Sequence, residues 1–352
     1  MIRIGLILMS ILILAIPTRA EYEYPSEYKT SSAGLIKISI DCPQGSIRFE
    51  PAADNDITVN VMRIIHHNEK EKAEKLAKEC KTDIYKDGQT LIVKVEIPPG
   101  NSHARNIIGS LFSGDFKEEL EILVKVSTPP ELVIKVTTSS ADITANDLKN
   151  DISIRGSSSD INLENIIGDC DLQVSSGDLT AFVIDGNLSL LGSSSDIQVE
   201  ENRGDLRVST ASGDVMISRV TGRAKIETTS GDLRIYGIDG SVDLQTTSGD
   251  ILAENLSGSA KVTSTSGDIR LLGLNDPAGD FYVDATSGDV VLEVTREFSG
   301  RLEMETDSGN ISADLDMTSN SSSDTHLQGM IGNGNGRINV VTISGDITLS
   351  KM

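Results

Sequence analysis

The sequence predicts an all-β fold: a single-stranded parallel β-helix, or β-solenoid, with 18-residue coils, behind an N-terminal β-rich cap with one short helix. Three observations predict it. Asp142, Asp160, Asp178, Asp196, Asp214, Asp232, Asp250 and Asp268 recur at intervals of 18 residues without exception. The residue after each is apolar (Ile143, Ile161, Leu179, Ile197, Val215, Leu233, Ile251, Ile269), and two positions on stands another apolar or small residue (Ala145, Leu163, Ala181, Val199, Ile217, Ile235, Ala253, Leu271). That alternation marks a strand with one buried face. Glycine, which tolerates positive φ, precedes most of these Asp residues and returns at a second corner as Gly168, Gly186, Gly204, Gly222, Gly240 and Gly258.

One such unit cannot enclose its own apolar face. Stacking each unit on the one before buries a continuous aliphatic column and pairs strand backbones about 4.8 Å apart. An antiparallel meander is the competing arrangement, but it gives no reason for strict register over eight units. Handedness and the choice between two and three faces stay open.

Taken in order, residues 1–20 have the form of a secretory signal peptide: Arg3, an apolar run from Ile4 to Ile16, then Pro17, Thr18, Arg19 and Ala20. The run is shorter than the ~20 residues that span a bilayer, so cleavage after Ala20 and export are expected, with no integral membrane segment in the mature chain. Residues 21–135 form the β-rich capping region. Strands are expected at Leu35 to Ile40, Ile57 to Ile64, Leu91 to Ile97 and Leu120 to Val126. Between them Asn68 and Glu71 resemble a capping box, and Ala73, Leu76, Ala77 and Cys80 share one helical face, which suits a helix covering the open end of the stack. Residues 99 to 116 read as a mobile loop. Residues 136–352 form the solenoid, whose corner series continues at Asp289, Asn310 and Asp346 with looser spacing; Leu188, Leu190, Leu206, Val208, Val242 and Leu244 point inward on the second strand of their coils. Where Ala141, Ser159 and Ser195 replace the corner glycine, another turn type is required. Ser319 to Gly336 reads as a flexible loop before a last strand pair.

Composition narrows function. A net charge of −22 opposes binding to nucleic acid or anionic lipid and favours cations or basic partners. Trp is absent and aromatics are only 3% of residues, so stacking platforms for sugars or single strands are missing. Among the three cysteines, Cys42 and Cys80 lie in one region and could pair in an oxidising compartment. Cys170 occupies the inward position of Leu188 and Leu206 and reads as a buried small hydrophobe. His66 and His67 would point to opposite faces of a strand, which makes a poor metal site and leaves both in solvent.

The Asp row has two readings. Stacked carboxylates could bind Ca²⁺, but a hard cation needs six to eight oxygens and the Gly-Gly-x-Gly-x-Asp pattern of calcium rolls is missing. The preferred reading has each Asp accept hydrogen bonds from turn N–H groups and neighbouring hydroxyls, with no cofactor. A glycosidase or polysaccharide lyase needs two distinguished carboxylates and a walled groove. Here the acids are all alike, and no Ser has a His and Asp at nucleophile spacing, so no catalytic, cofactor-binding or metal-ligating residue is assigned.

The units Thr229 to Leu233, Thr247 to Ile251 and Thr265 to Ile269, the opening Gly45-Ser46-Ile47-Arg48 and the closing Gly334 to Leu349 segment resemble the bacterial DUF4097 family of adhesin-type proteins. The resemblance implies a β-solenoid of the cell envelope without established catalytic residues. The expected function is therefore an exported, non-enzymatic scaffold, in the periplasm, at the cell surface or outside the cell. Its partner would be an unidentified envelope or surface macromolecule; a polysaccharide-active enzyme is the alternative.

Overall fold

A computed structural model describes residues 20–98 and 119–352. All of the expected signal peptide but Ala20, and the expected loop at 99 to 116, lie outside the described residues. Each 18-residue coil contributes one strand to each of two sheets, of fifteen and sixteen strands, so the solenoid has two faces. Leu179–Asp185 lies in the first sheet and Leu188–Ser194 in the second.

Neighbouring coils pair in parallel with residue i opposite i+18, as in Ile161↔Leu179↔Ile197 and Cys170↔Leu188↔Leu206. The meander is thereby excluded. The inward column is closed: Ile143, Ile161, Leu179, Ile197, Val215, Leu233, Ile251 and Ile269 are each at most 2% exposed.

Each coil of the first sheet carries a feature that simple alternation does not predict. Asp147, Asn165, Val183, Glu201, Arg219, Gly237, Asn255 and Gly273, again 18 apart, all have positive φ. This left-handed residue places two outward side chains in succession and returns a third inward one, such as Ile166, Ile184 or Ile238. Stacking over-determines the conformation even at Val183, where a β-branched side chain disfavours it.

Both ends depart from a stack in sequence order. The first coil, Lys37–Asp41 with Gln44–Pro51, lies between a later coil, Thr90–Glu96 with Glu119–Thr128, and the coil Val133–Thr137 with Ser140–Leu148. The last coil, Gly336–Ser344 with Ile347–Lys351, lies between Asp280–Ser287 with Val290–Val294 and Gly300–Ser308 with Ile311–Asp314. Spatial order at the corner is therefore Asp289, Asp346, Asn310. The expected loop at Ser319 to Gly336 instead contains an antiparallel hairpin, Thr318–Ser322 with His326–Met330, added to the edge of the second sheet. Terminal segments fray unless tied down, and each terminal coil is held by a neighbour on both sides.

The expected helix is Lys70–Glu79. Ala73, Leu76 and Ala77 pack on Ile65, Tyr22 and Tyr24 where Asp56–His66 and the edge strand Glu21–Ser31 meet. The capping box is not formed, because the N-cap is Glu69, one residue later than Asn68, and the Glu69 N–H donates to His67 Nδ1 at 2.8 Å. At the other end, Arg63 Nη1 donates to the carbonyls of Ala77 (3.0 Å) and Cys80 (3.1 Å). A guanidinium thus meets the negative end of the helix dipole.

Candidate functional site

The Thr-Thr-Ser-Gly-Asp unit is explained residue by residue in Thr228 to Asp232. Thr228 is buried, and its hydroxyl donates to the Ser230 carbonyl at 3.2 Å, satisfying both groups before the turn. Thr229 and Ser230 face solvent. Gly231 has φ +131°, and a Cβ there would stand 2.1 Å from the Gly213 carbonyl oxygen of the coil beneath. No side chain fits between coils at that corner.

Asp232 closes the unit: its backbone N–H donates to Asp214 Oδ1 at 2.9 Å, and its own Oδ1 accepts from Asp250 N–H at 3.0 Å. The pattern continues through Asp268, Asp289, Asp346 and Asn310, crossing sequence separations of 21, 57 and 36 residues. The acids thus form a ladder in which one carboxylate oxygen ties the next coil, interrupted between Asp178 and Asp196, where Ser195 replaces the corner glycine. The acceptor role and the turn N–H donor are those preferred from the sequence, the N–H coming from the next coil; the neighbouring hydroxyls, also expected, do not serve these acids. The hydroxyls of Thr210, Thr228, Thr246 and Ser264 serve carbonyls instead.

Ser159 and Ser195 replace the corner glycine by turning inward, at 1% and 3% exposure. The space that Thr228 fills in its own coil is vacated there: the residue three positions earlier is Gly156 or Gly192, whose added Cβ would meet the serine side chain at about 3 Å. Thr paired with Gly and Gly paired with Ser are alternative fillings of one volume.

A second ladder, which the sequence reading missed, runs along the opposite corner. Asp169 N–H donates to Asp151 Oδ1 (2.9 Å), Asn187 N–H to Asp169 Oδ1 (2.8 Å), Asp205 N–H to Asn187 Oδ1 (3.1 Å) and Arg223 N–H to Asp205 Oδ1 (3.0 Å). Its signal was present: the residue after Gly168, Gly186 and Gly204 is Asp or Asn.

Along this corner lies an open groove of about 570 Å³ parallel to the solenoid axis. Its floor is Ile152, Cys170, Leu188 and Leu206. Val133 stands at one end, followed by Asp151, Asp169 and Asp171 on the next two coils; Asp205 and Arg207 precede Arg223 and Lys225 at the other end. Six successive coils contribute, so the groove extends about 24 Å at strand spacing. In an acidic molecule it offers an apolar base with acids along its earlier coils and basic side chains toward its last.

The remaining candidates fall outside this groove or beneath it. Cys170 is 3% exposed, and burial pushes its thiol up to about 12, the behaviour of a packing residue. Cys42 and Cys80 are buried free thiols, so the expected bridge is not formed; burial pushes Cys42 up to about 12 and raises Cys80 against the lowering effect of Arg63. His66 and His67 are partly covered rather than free in solvent. His66 Nε2 stands 4.0 Å from Glu121 Oε2, and His67 Nδ1 accepts the helix-entry N–H. Among the described residues no group of three or more His, Cys, Asp or Glu is placed to hold a metal ion. No helix among them is long and apolar enough to cross a membrane.

Residues 184–350 match the family described as Toastrack DUF4097. The opening segment Gly45 to Arg48, part of the expected resemblance, lies outside that match. No curated protein matches the chain. Similar solved structures include a "putative adhesin" from Parabacteroides distasonis (14% identity, covering 76% of this chain and 96% of that one, TM-score 0.38). Another, also a "putative adhesin", is from Bacteroides fragilis (11% identity, 94% and 97% covered, TM-score 0.30).

Proposed function

From the match of residues 184–350 to the family described as Toastrack DUF4097, we propose that this chain is an exported, non-catalytic, adhesin-type scaffold of the cell envelope. It holds a linear macromolecule along its long axis. The observation that carries this reading is the axial groove over six coils, with acidic Asp151, Asp169 and Asp171 on its second and third coils and basic Arg223 and Lys225 on its last. A rigid groove whose walls repeat at strand spacing suits an extended polymer that makes the same weak polar contact coil after coil. Apolar Arg3-led residues 4–16 support export.

The ladder acids speak against glycoside hydrolysis, which needs one carboxyl distinguished from its partner. Here successive corner acids accept the same backbone hydrogen bond, and the two that Arg234 pairs with, Asp214 and Asp232, share that one cation rather than being set apart by it. The test compares binding of the chain to whole cells and purified envelope polymers with reducing-sugar release from a polysaccharide panel. Binding should weaken about tenfold in Arg223→Glu/Lys225→Glu and in Asp169→Lys/Asp171→Lys, with no sugar released. Product formation abolished by changing a single corner Asp would overturn the scaffold reading, and binding indifferent to both charge reversals would remove the groove from it.

A further inference from the structure

Beyond the groove, the two sheets leave four edges: Glu21–Ser31 and Ile311–Asp314 in the first, Lys81–Asp87 and Thr318–Ser322 in the second. An edge strand is a template for another strand unless it is blunted. Glu21–Ser31 is blunted by Pro25 and by Glu21, Glu23 and Glu27. Ile311–Asp314 has neither proline nor lysine. We propose that this edge accepts one added β-strand from a partner protein, a segment alternating apolar with basic side chains.

Three observations carry the proposal. First, the apolar column is open here. Ile311, Ala313, Leu315 and Met317 pack on the core yet remain only half-buried, whereas Ile347 and Leu349, one coil inward, are 0% exposed. A strand laid alongside would cover that row. Second, part of the backbone is available. Ile311–Asp314 pairs as a strand only with Ile347–Lys351; the outward Ile311 N–H is already taken by the Asp324 carbonyl at 2.8 Å, which leaves the edge from Ala313 onward open. Alternate residues of a ladder strand bond to the same side, so Ala313 presents its N–H to the open edge.

Third, charge selects the occupant. Asp307, Asp314, Asp316 and Asp324 surround the edge in exposed positions, and among the described residues none has an ion-pair partner. A second copy presenting this edge, or its own Glu21–Ser31 edge, would bring like charges together. A strand with lysine or arginine on its outward face would neutralise them while its apolar face extended the core. The strand is short, four residues, so affinity should be modest.

The test titrates the full chain with a short peptide alternating lysine and valine and, in parallel, with one alternating glutamate and valine. Saturable binding of the first is expected, about tenfold weaker for the second, with slowed amide exchange at Ala313. Ala313→Pro removes the outward N–H and should cost about tenfold in affinity; its melting curve shows whether the edge itself survives. Asp314→Lys/Asp316→Lys, on the exposed face, should weaken binding similarly without touching the core. Absence of saturable binding, equal binding of the glutamate peptide, or affinity unchanged in both variants would overturn the proposal. So would concentration-dependent self-association that Ala313→Pro abolishes, since the occupant would then be a second copy.

Discussion

Gly231 and Thr228 show how a repeat motif is enforced by packing. The glycine is required because its corner is left-handed and touches the carbonyl of the coil beneath; the threonine fills the volume behind it. At Ser159 and Ser195 the chain uses the opposite filling, with Gly156 and Gly192 in place of threonine. Gly231→Ser alone should therefore cost about 2 kcal/mol or more, from strain and overpacking together. Adding Thr228→Gly should recover at least about 1 kcal/mol, so chemical denaturation of the two single variants and the double variant would give a clearly non-additive cycle; additivity would mean the two fillings are unrelated. Cys170 makes a second prediction. Its thiol is pushed up to about 12 by burial, with Asp151 and Asp169 adding to the rise. An unfolded thiol ionises near pH 8.5. The stability this burial contributes is fully present below that pH and is lost as pH rises toward 12, by about 1.4 kcal/mol per unit. Cys170→Val should flatten the alkaline fall in stability measured by denaturant titration.

The strands and coils divide into those that the sequence announces and those that it hides. Asp142 to Asp268 announce the stack, because a neighbour 18 residues away in the chain is the neighbour in space and the corner bond recurs from coil to coil. The interleaved ends leave no such mark. Asp346 contacts Asp289 across 57 residues and Asn310 across 36, so the period looks merely loosened. The hairpin at 318–330 was hidden for a related reason: Ser and Thr are its commonest residues, and its order comes from pairing to Gly300–Ser308 rather than from its own propensity. The site was half legible. The first ladder stands on an Asp at strict 18-residue spacing, while the second mixes Asp, Asn and Arg and shows itself only through backbone N–H groups donated to side-chain oxygens. Interleaving can be checked directly in a background without the native thiols. Val291→Cys/Thr348→Cys and Ser312→Cys/Thr348→Cys should each cross-link, since both pairs are direct neighbours about 4.8 Å apart. Val291→Cys/Ser312→Cys should not, two strands being beyond disulfide reach; a stack in sequence order would link Val291→Cys/Ser312→Cys and leave Val291→Cys/Thr348→Cys apart, with Ser312→Cys/Thr348→Cys linking in either arrangement.

At the scale of the whole molecule, the protein is a one-dimensional array in which each coil depends on its two neighbours. Damage in the middle should therefore spread along the axis. Ile251→Asp places an uncompensated charge at a position 1% exposed, and a loss of about 4 kcal/mol or more is expected, with proteolysis opening the coils around Leu233 and Ile269 as well as its own. Retained stability would contradict the inward column. The same array makes the proposed binding surface regular, because the ladders fix the coil spacing that sets the groove walls. That rests on one bond repeated along the corner: a carboxylate of one coil accepting the backbone N–H of the next, as Asp250 Oδ1 does from Asp268 at 2.9 Å. Residue-resolved amide exchange in Asp250→Ala tests it. The Asp268 amide should exchange faster while that of residue 250, held by Asp232, stays protected. Loss of protection at residue 250 with Asp268 unchanged would contradict the ladder and the stack it joins.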